Sequence, residues 1–457
     1  VITIFYDLET SDSIPVGQIL NYCFIAVNKN FSPIAKLANN VKVSRLQLPA
    51  PGAILTNRID VVKHQQEATL NEREAMLEIR DFIDSVITEA GERICFAGFN
   101  SAKFDLPFLR TSLIRNGINP YFSGKLCYKD LFFAAKKLSV SNSDFPRRPY
   151  LDTGDRSTRL SLKLETLCRE LGLLKGAQTH ESEDDVLLTI ELAKTFKNEF
   201  GLDLTSFEAY EAGSFHELSG QGIGVASLEP NYDLSTSDLF VSNLLTPLDA
   251  DYRYALWIDL GRFNDGAGRD SIRWFNQASS YFFSGGEQKT HEYLELAPKA
   301  LKELKDINLK NFFSRSTCDV EQDIYRLDFD AIGALESVIW RGDSSALARI
   351  KNEDAKIAFI RYKLANYEWG GAQDEKVKDL LREYAMHRYG GAMQVRKVLK
   401  EEDLEAEGYH VTFKCLLKDL ERHEKDGSEE DKALLKSLKE FYLASDIYRV
   451  AGEDLLQ

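Results

Sequence analysis

Asp7 and Glu9 stand two residues apart at the end of the apolar run VITIFYDLET. In a strand, positions i and i+2 point the same way, so both carboxylates would aim at one place where a buried strand emerges. Packing does not favour two like charges side by side, whereas a divalent cation between them removes the repulsion. The other reading is an exposed strand end with two solvated acids. Asp105 follows the apolar run ICFAGF in GFNSAKFDLPFL, flanked by Phe104, Leu106 and Pro107. A carboxylate in that setting is expected to be buried and to need a cation or strong donors. A helix N-cap is the alternative. In THESEDDVLLTIELAKTF, His180 precedes Asp185 by five residues. On one helix that offset sets two side chains about 140° apart, so they converge more naturally if His180 lies on the loop entering the helix. A loop histidine beside a metal site, with an ordinary pKa of about 6.5, suits proton abstraction from water. A lone surface histidine is the competing reading.

These residues need elements to position them. Val1 to Tyr6, Ile19 to Val27 and Val41 to Leu48 read as strands, the last broken by Pro49, Pro51 and Gly52. Glu72 to Ala90 reads as a helix with Met76, Ile79, Ile83 and Val86 on one face. Ile94 to Phe99 suits a buried strand. Helical patterns follow at 105–116, 127–138, 161–171 and 184–196, with a polar, proline-containing loop at about 140–158. Strands followed by alternating strands and helices predict an α/β domain with a mixed sheet. From about 214 the texture changes, with strand-like pieces at Leu239 to Leu244, Tyr254 to Asp259 and Tyr293 to Leu296. The glycines at 220, 222 and 224 follow no clear strand and open no clear helix, which argues against a dinucleotide-binding turn. From about 345 the pattern is helical to the end.

The 457 residues correspond to two to four domains at about 100–200 residues each. With 44% hydrophobic and 28% charged residues, the composition is that of a folded globular protein. No apolar run approaches the ~18 residues of a membrane span, and the opening residues do not read as a secretory signal. Six scattered cysteines form no CxxC pair, which argues against a zinc ribbon and fits free thiols in a reducing cytoplasm. The net charge of −15 is unevenly spread. Residues 101–150 carry nine Lys and Arg against three Asp, and residues 341–400 sum to +5. In 101–150 the cations alternate with rings, among them Lys103, Phe104, Arg110, Arg115, Tyr121, Lys125, Tyr128 and Lys129. Cations that track phosphates and rings that stack on bases fit a single strand held without sequence preference. Amphipathic helices with solvated lysines are the competing reading. The second positive stretch, with Arg349, Arg361, Lys363, Arg396 and Lys397, could wall the same groove.

Taken together, Asp-x-Glu, Asp and His-x4-Asp match the order of the DEDDh exonuclease superfamily, and the chain resembles the bacterial exonuclease I family within it. The closer resemblance rests on FYDLET, LPAPGAILT at 48–56, GFNSAKFD at 98–105, SLKLETL at 161–167 and THESEDD at 179–185. It is specific over roughly residues 1–200 and rests beyond them on layout and on pieces such as WIDLGR at 257–262. The resemblance implies an α/β, RNase H-like mixed-sheet exonuclease domain at 1–200. An SH3-like β-containing domain with connecting segments would follow at 201–344, and a C-terminal helical domain at 345–457. It implies that Asp7, Glu9, Asp105 and Asp185 hold two Mg2+ ions, for which Mn2+ could substitute, with His180 as general base. Lys163 stands where the family has a basic substrate-contacting residue, usually arginine, so a point-charge contact replaces a bidentate one. Glu9, Asn100, Lys103 and Phe104 complete the expected substrate contacts. Glu181, Glu183 and Asp184 around His180 are expected to raise its pKa.

The activity this implies is a Mg2+-dependent 3′→5′ exodeoxyribonuclease degrading single-stranded DNA to 5′-mononucleotides, in DNA repair and recombination. A cytoplasmic monomer without membrane contact is expected, with the acidic C-terminal tail of single-stranded-DNA-binding protein as a partner. Two alternatives stay open at this point: a DEDDh exoribonuclease, because metals address phosphate and not the 2′-OH, and a catalytically silent single-strand-binding protein.

Overall fold

The structure is a computed structural model. It describes residues 1–142, 145, 150–151, 158–159, 162–174, 182–206, 225–230, 240–250, 254–276, 283–284, 295–309, 327–343, 345–346, 353–366, 375–390 and 412–456.

The first run, Thr3–Thr10 (β1), lies at the centre of a five-stranded mixed sheet. It pairs antiparallel with Ile19–Val27 (β2), which pairs antiparallel with Pro33–Asn40 (β3). On its other side it runs parallel to Ile94–Gly98 (β4), which runs parallel to Leu126–Asp130 (β5). The order is β3-β2-β1-β4-β5. The apolar run Ile4–Tyr6 within β1 is buried on both faces. Ile4, Tyr6 and Leu8 face one core, with Phe24, Phe96 and the Met76–Ile79–Ile83–Val86 stripe. Phe5 faces the other, with Ile25, Ala97, Val186, Ile190 and Phe196.

Among the described residues seven helices accompany this sheet: α1 (Pro51–Asn57), α2 (Val61–Glu67), α3 (Glu72–Ala90), α4 (Asp105–Arg115), α5 (Leu131–Ser141), α6 (Leu164–Glu170) and α7 (Ser182–Phe200). Helices α3 to α7 enter its two cores, whereas α1 and α2 belong to a third. Helix α3 keeps the expected limits because both ends carry stop signals. Asn71 and Glu74 form a reciprocal capping box, and Gly91 closes the other end at φ +66°.

Three expectations change. The third strand is Pro33–Asn40 and not Val41–Leu48; Val41 makes only an isolated bridge to Leu70. Register with β2 selects the earlier segment although its composition is weakly strand-like. The pattern at 127–138 divides into β5 and α5, since Asp130 caps the helix by accepting the N–H of Phe132. Leu296 opens a helix rather than ending a strand.

A second five-stranded sheet is wholly antiparallel, in the order β11-β10-β9-β8-β12. Its strands are Val225–Pro230 (β8), Phe240–Ala250 (β9), Tyr254–Asp259 (β10), Ile272–Asn276 (β11) and Phe283–Ser284 (β12). The two-residue pieces Tyr150–Leu151 (β6) and Thr158–Arg159 (β7) pair with each other. Short helices at Leu260–Asn264 (α8) and Leu296–Glu303 (α9) cover the second sheet through Leu256, Ile258, Phe263 and Ala300. The glycine cluster at 220–224 lies outside the described residues.

Helical structure starts before 345, with Phe329–Arg341 (α10), which packs on Ile114 of α4 and donates from Trp340 Nε1 to the Gly117 carbonyl at 2.7 Å. Then come Glu353–Asn366 (α11), Glu375–Tyr389 (α12), Phe413–Asp426 (α13), Glu429–Ala444 (α14) and Asp446–Leu456 (α15). These last helices share one core with Leu20, Val43, Leu46, Leu48, Ile54 and Val61 from the N-terminal part. Their tyrosines hold segment 46–49 by its backbone. Tyr389 Oη accepts the Leu48 N–H at 2.9 Å and donates to the Leu46 carbonyl at 3.2 Å, and Tyr442 Oη donates to the Pro49 carbonyl. Among the described residues, no helix is long and apolar enough to cross a membrane.

Candidate active site

Alternation along β1 decides where its acids go. Phe5 lies on the face covered by α7, so Asp7 and Glu9, two and four residues on, share that face. The ladder to β2 runs regularly to Glu9 opposite Asn21 and shifts between Glu9 and Thr10. A bulge at this point breaks the regular register beside the acids, and pairing resumes with Thr10 opposite Ile19.

Helix α7 lies across β1 and β2, and its apolar stripe of Val186, Ile190 and Ala193 enters the same core as Phe5. Asp185, 7% exposed in the first turn of α7, is thereby set against β1. Carboxylate oxygens of Asp7, Glu9 and Asp185 lie within 4.8 Å of one another. Glu183, two residues earlier, forms an ion pair with Lys36 of β3. That contact ties the head of α7 to the sheet edge and places a cation against one of the acids expected to bear on His180.

Asp105 arrives by another route. Strand β4 ends at Gly98, where an added Cβ would lie 2.6 Å from Ser101 Cβ and 3.1 Å from the Tyr6 carbonyl oxygen. Only glycine lets the chain turn so close to β1. Asn100 then takes φ +56°, the left-handed region that asparagine tolerates best among side-chain-bearing residues. The turn is held from below by Asp130, whose carboxylate accepts the N–H groups of Asn100, Ala102 and Phe132, each at 2.9 Å. Phe104, not Asp105, occupies the N-cap position of α4. Asp105 is the first helical residue, 4% exposed, and its Oδ1 accepts the Leu8 N–H at 3.1 Å. It stands beside the three clustered acids rather than within their 4.8 Å group.

Without a cation this arrangement is electrostatically unfavourable. Burial, then the charges of Asp105 and Asp185, raise the Asp7 carboxyl well above the usual carboxylate range. Glu9 is pushed up to about 9 by burial, then by Asp7 and Asp185. Asp105 is raised by burial and by Glu9 and Asp130, while its own N–H and that of Leu8 act against the rise. Oxygen donors about 2.0–2.6 Å from one ion span such a cluster, and hard divalent cations take carboxylate oxygens. The donor set therefore fits Mg2+ or a similar ion.

The remaining site expectations divide. His180 and Glu181 lie outside the described residues. Lys163 is the exposed N-cap residue of α6, a helix that packs on α7. Asn100 and Phe104 are partly buried in the turn leading to Asp105, and Lys103 between them is exposed. Phe104 packs against the Phe108 ring at a centroid distance of 5.0 Å.

Several basic residues expected on a groove are internal. Arg110 is buried with its guanidinium 5.1 Å from the centroids of both Tyr121 and Tyr128. Arg115 is buried against Glu72 at 3.4 Å and donates to the Gly17 carbonyl at 3.1 Å. Lys129 is buried as well. In the later stretch, Arg361 is buried beside His387 and over Tyr384, whereas Lys363 is exposed. Arg349, Arg396 and Lys397 lie outside the described residues. Composition counts charges without showing which stems are long enough to bury and which heads find partners. Sequence reasoning missed Asp130 and Lys36. Asp130 had a signal, an aspartate directly before an apolar helical run.

No family model and no curated protein sequence matches the chain. Solved structures do. E. coli exonuclease I in complex with a 5cy-dT13 oligonucleotide superposes with a TM-score of 0.67 at 16% identity, over 96% of this chain and 98% of that one. A zinc-bound E. coli exonuclease I–single-stranded-DNA complex gives 0.65 at 16% identity, over 100% and 99%. Exonuclease I from Methylocaldum szegediense gives 0.63 at 19% identity, over 98% and 99%. By this likeness the chain has an exonuclease I-like fold.

Proposed function

We propose that the chain is a divalent-metal-dependent 3′→5′ exodeoxyribonuclease that degrades single-stranded DNA to 5′-mononucleotides. The observation that carries this reading is the meeting of Asp7, Glu9 and Asp185, with Asp105 beside them, in a chain of the exonuclease I fold. The oligonucleotides held by the E. coli neighbour indicate the substrate class.

In this reading Asp7, Glu9, Asp105 and Asp185 hold two ions, with Mg2+ as the working metal and Mn2+ as a substitute. When bound, the ions supply an activated water and charge that stabilises the departing 3′ oxygen. His180 would serve as the general base that removes a proton from the attacking water. The rigid central strand fixes Asp7 and Glu9, while the Asp130-braced turn fixes Asp105, so little reorganisation is needed as charge develops. Lys103, Phe104, Asn100 and Lys163 contact the terminal nucleotides, the lysines as point charges and Phe104 by stacking.

We assign residues 1–200 to the nuclease domain, 201–344 to an SH3-like domain with connecting segments, and 345–457 to a helical domain. The protein acts in the cytoplasm as a monomer, in DNA repair and recombination, and meets the acidic tail of single-stranded-DNA-binding protein.

The test compares 5′-labelled single-stranded DNA, blunt duplex DNA and single-stranded RNA, each with Mg2+, with EDTA, and with Asp7→Ala protein. A Mg2+-dependent ladder shortening from the 3′ end on single-stranded DNA alone is expected. Preference for RNA would keep the site and replace the substrate. Tight strand binding without cleavage would overturn the catalytic reading.

A further inference from the structure

Two cysteines that the acid site does not use face each other at the opposite end of the main sheet. Cys95 of β4 and Cys127 of β5 are direct partners in the parallel register of those strands. Partners in register share a sheet face, and adjacent strands lie about 4.7–4.9 Å apart. That spacing falls inside the Cα window of about 4.4–6.8 Å that a disulfide requires. The two side chains are therefore direct neighbours on one face of the sheet.

Their surroundings differ. Cys95 is fully buried, and its Sγ donates to the Ser206 carbonyl at 3.3 Å. Cys127 lies on the edge strand of the sheet and is partly exposed, so solvent reaches it first. Lys129 lies two residues along β5 on the same face, and Arg93 lies two residues before Cys95. The Cys95 thiol, then Lys129 and Arg93, bring the Cys127 thiol down to about 6, against the opposing effect of burial. Elsewhere the effect runs the other way: burial pushes Cys23 and Cys168 up to about 12.

We propose that Cys95 and Cys127 form a peroxide-reactive dithiol site, with Cys127 as the attacking group and Cys95 as the resolving one. The Cys127 thiolate attacks one oxygen of hydrogen peroxide and the O–O bond breaks. Cys127 becomes a sulfenic acid, oxidised by two electrons, and the released hydroxide takes up a proton to form water. The Cys95 sulfur then attacks the Cys127 sulfur and forms the S–S bond. Its thiol proton leaves with the departing hydroxyl as a second water. Reduction by a small thiol such as glutathione restores the pair. The cross-link joins β4 and β5 at the ends away from the acids. Both strands lead to the acid site, β4 into the turn before Asp105 and β5 into Asp130, which braces that turn.

The test exposes the full-length reduced protein to equimolar hydrogen peroxide, blocks remaining thiols with an alkylating agent, and maps the peptides by mass. The expected product is a Cys95–Cys127 peptide pair lighter by two hydrogens, recovered as free thiols after glutathione treatment. In Cys95→Ala protein, oxidation should stop at a Cys127 sulfenic acid that dimedone captures. In Cys127→Ser protein, peroxide consumption should slow by on the order of tenfold. Circular dichroism of both variants checks that they fold. Cys127 alkylated as readily after peroxide as before would overturn the proposal, as would its cross-linking to Cys415 instead of Cys95. None of these readouts depends on nuclease activity, so the dithiol site and the proposed function stand or fall separately.

Discussion

Asp105 Oδ1 accepts the backbone N–H of Leu8 at 3.1 Å, across 97 residues of sequence. Leu8 lies between Asp7 and Glu9 on β1, so the hydrogen bond clips the acid that begins α4 onto the strand that carries two others. It links the position of Asp105 to that of its partners through backbone and not through charge. Replacing Asp105 by Asn keeps an acceptor for Leu8 and removes the charge, whereas Asp105→Ala also leaves a buried N–H without an acceptor. Asp105→Asn should be at least as stable as the wild type in EDTA, because burial and the charges of Glu9 and Asp130 work against the carboxylate, and should lose cleavage by on the order of 10²–10³-fold. Asp105→Ala should in addition lose about 1–3 kcal/mol of stability. Denaturant unfolding of both proteins beside a cleavage assay separates the two effects.

Glu9 sets the sign of a pH dependence. Its folded-state carboxyl is pushed up from 4.5 to about 9, chiefly by burial and then by Asp7 and Asp185. The folded state therefore prefers the protonated form more than the unfolded chain does. That contribution is fully present below about pH 4.5 and is lost as pH rises towards 9. In EDTA, Glu9→Gln should be more stable than the wild type at pH 8, by on the order of 1–3 kcal/mol. The difference should shrink towards pH 4.5. Mg2+ should stabilise the wild type and restore less in the variant. Thermal melts across that range, with and without metal, check the sign.

Asp7 and His180 are expected to fail differently. Asp7→Ala should abolish turnover together with the Mg2+-induced rise in melting temperature. His180→Ala should retain that rise and cost about 10²–10⁴-fold in single-turnover rate. Full activity in His180→Ala would remove histidine from the proposed chemistry.

Arg110 and Lys103 test which cations touch DNA. Arg110 lies buried between two tyrosine rings and Lys103 is exposed beside Phe104. Arg110→Ala should lower stability by roughly 1–3 kcal/mol, on the scale of one or two desolvated cation–ring contacts. Lys103→Ala should leave stability unchanged and weaken strand binding, with a shallower salt dependence.

Tyr389 joins the C-terminal helices to the N-terminal part of the chain. Tyr389→Phe removes the donor to the Leu46 carbonyl and the acceptor of the Leu48 N–H. A loss of about 1–3 kcal/mol follows. Removing residues 412–457 should unfold the chain, because those helices complete the core around Leu46, Leu48 and Ile54. Circular dichroism of the truncated chain checks this.

Some of the fold was legible because local chemistry and tertiary demand agree. Helix α3 carries its stripe in its own residues and a stop signal directly at each end, and β2 is apolar but for Asn21. The strand at Pro33–Asn40 was not legible, because what holds it is register with β2 rather than its own side chains. The split at Asp130 was legible only as a cap signal, since the apolar content of Leu126–Leu138 suits either state. Arg110 and Arg115 looked like a surface because charge invites that reading. Their burial depends on rings and a carboxylate brought in from Tyr121, Tyr128 and Glu72.

The sequence by itself determined that Asp7 and Glu9 share one face of a strand, because side-chain alternation is a local property of extended backbone. It also determined that an acid follows the second buried strand and that another opens an apolar helix. Tertiary structure alone decided that Asp185 joins Asp7 and Glu9 within 4.8 Å while Asp105 stands beside them on the Leu8 N–H. That outcome depends on α7 crossing β1 and on a turn braced by Asp130, contacts between segments far apart in the chain. Convergence of like charges is a cost that no local segment would accept, and only a core large enough to hold both elements in place can impose it.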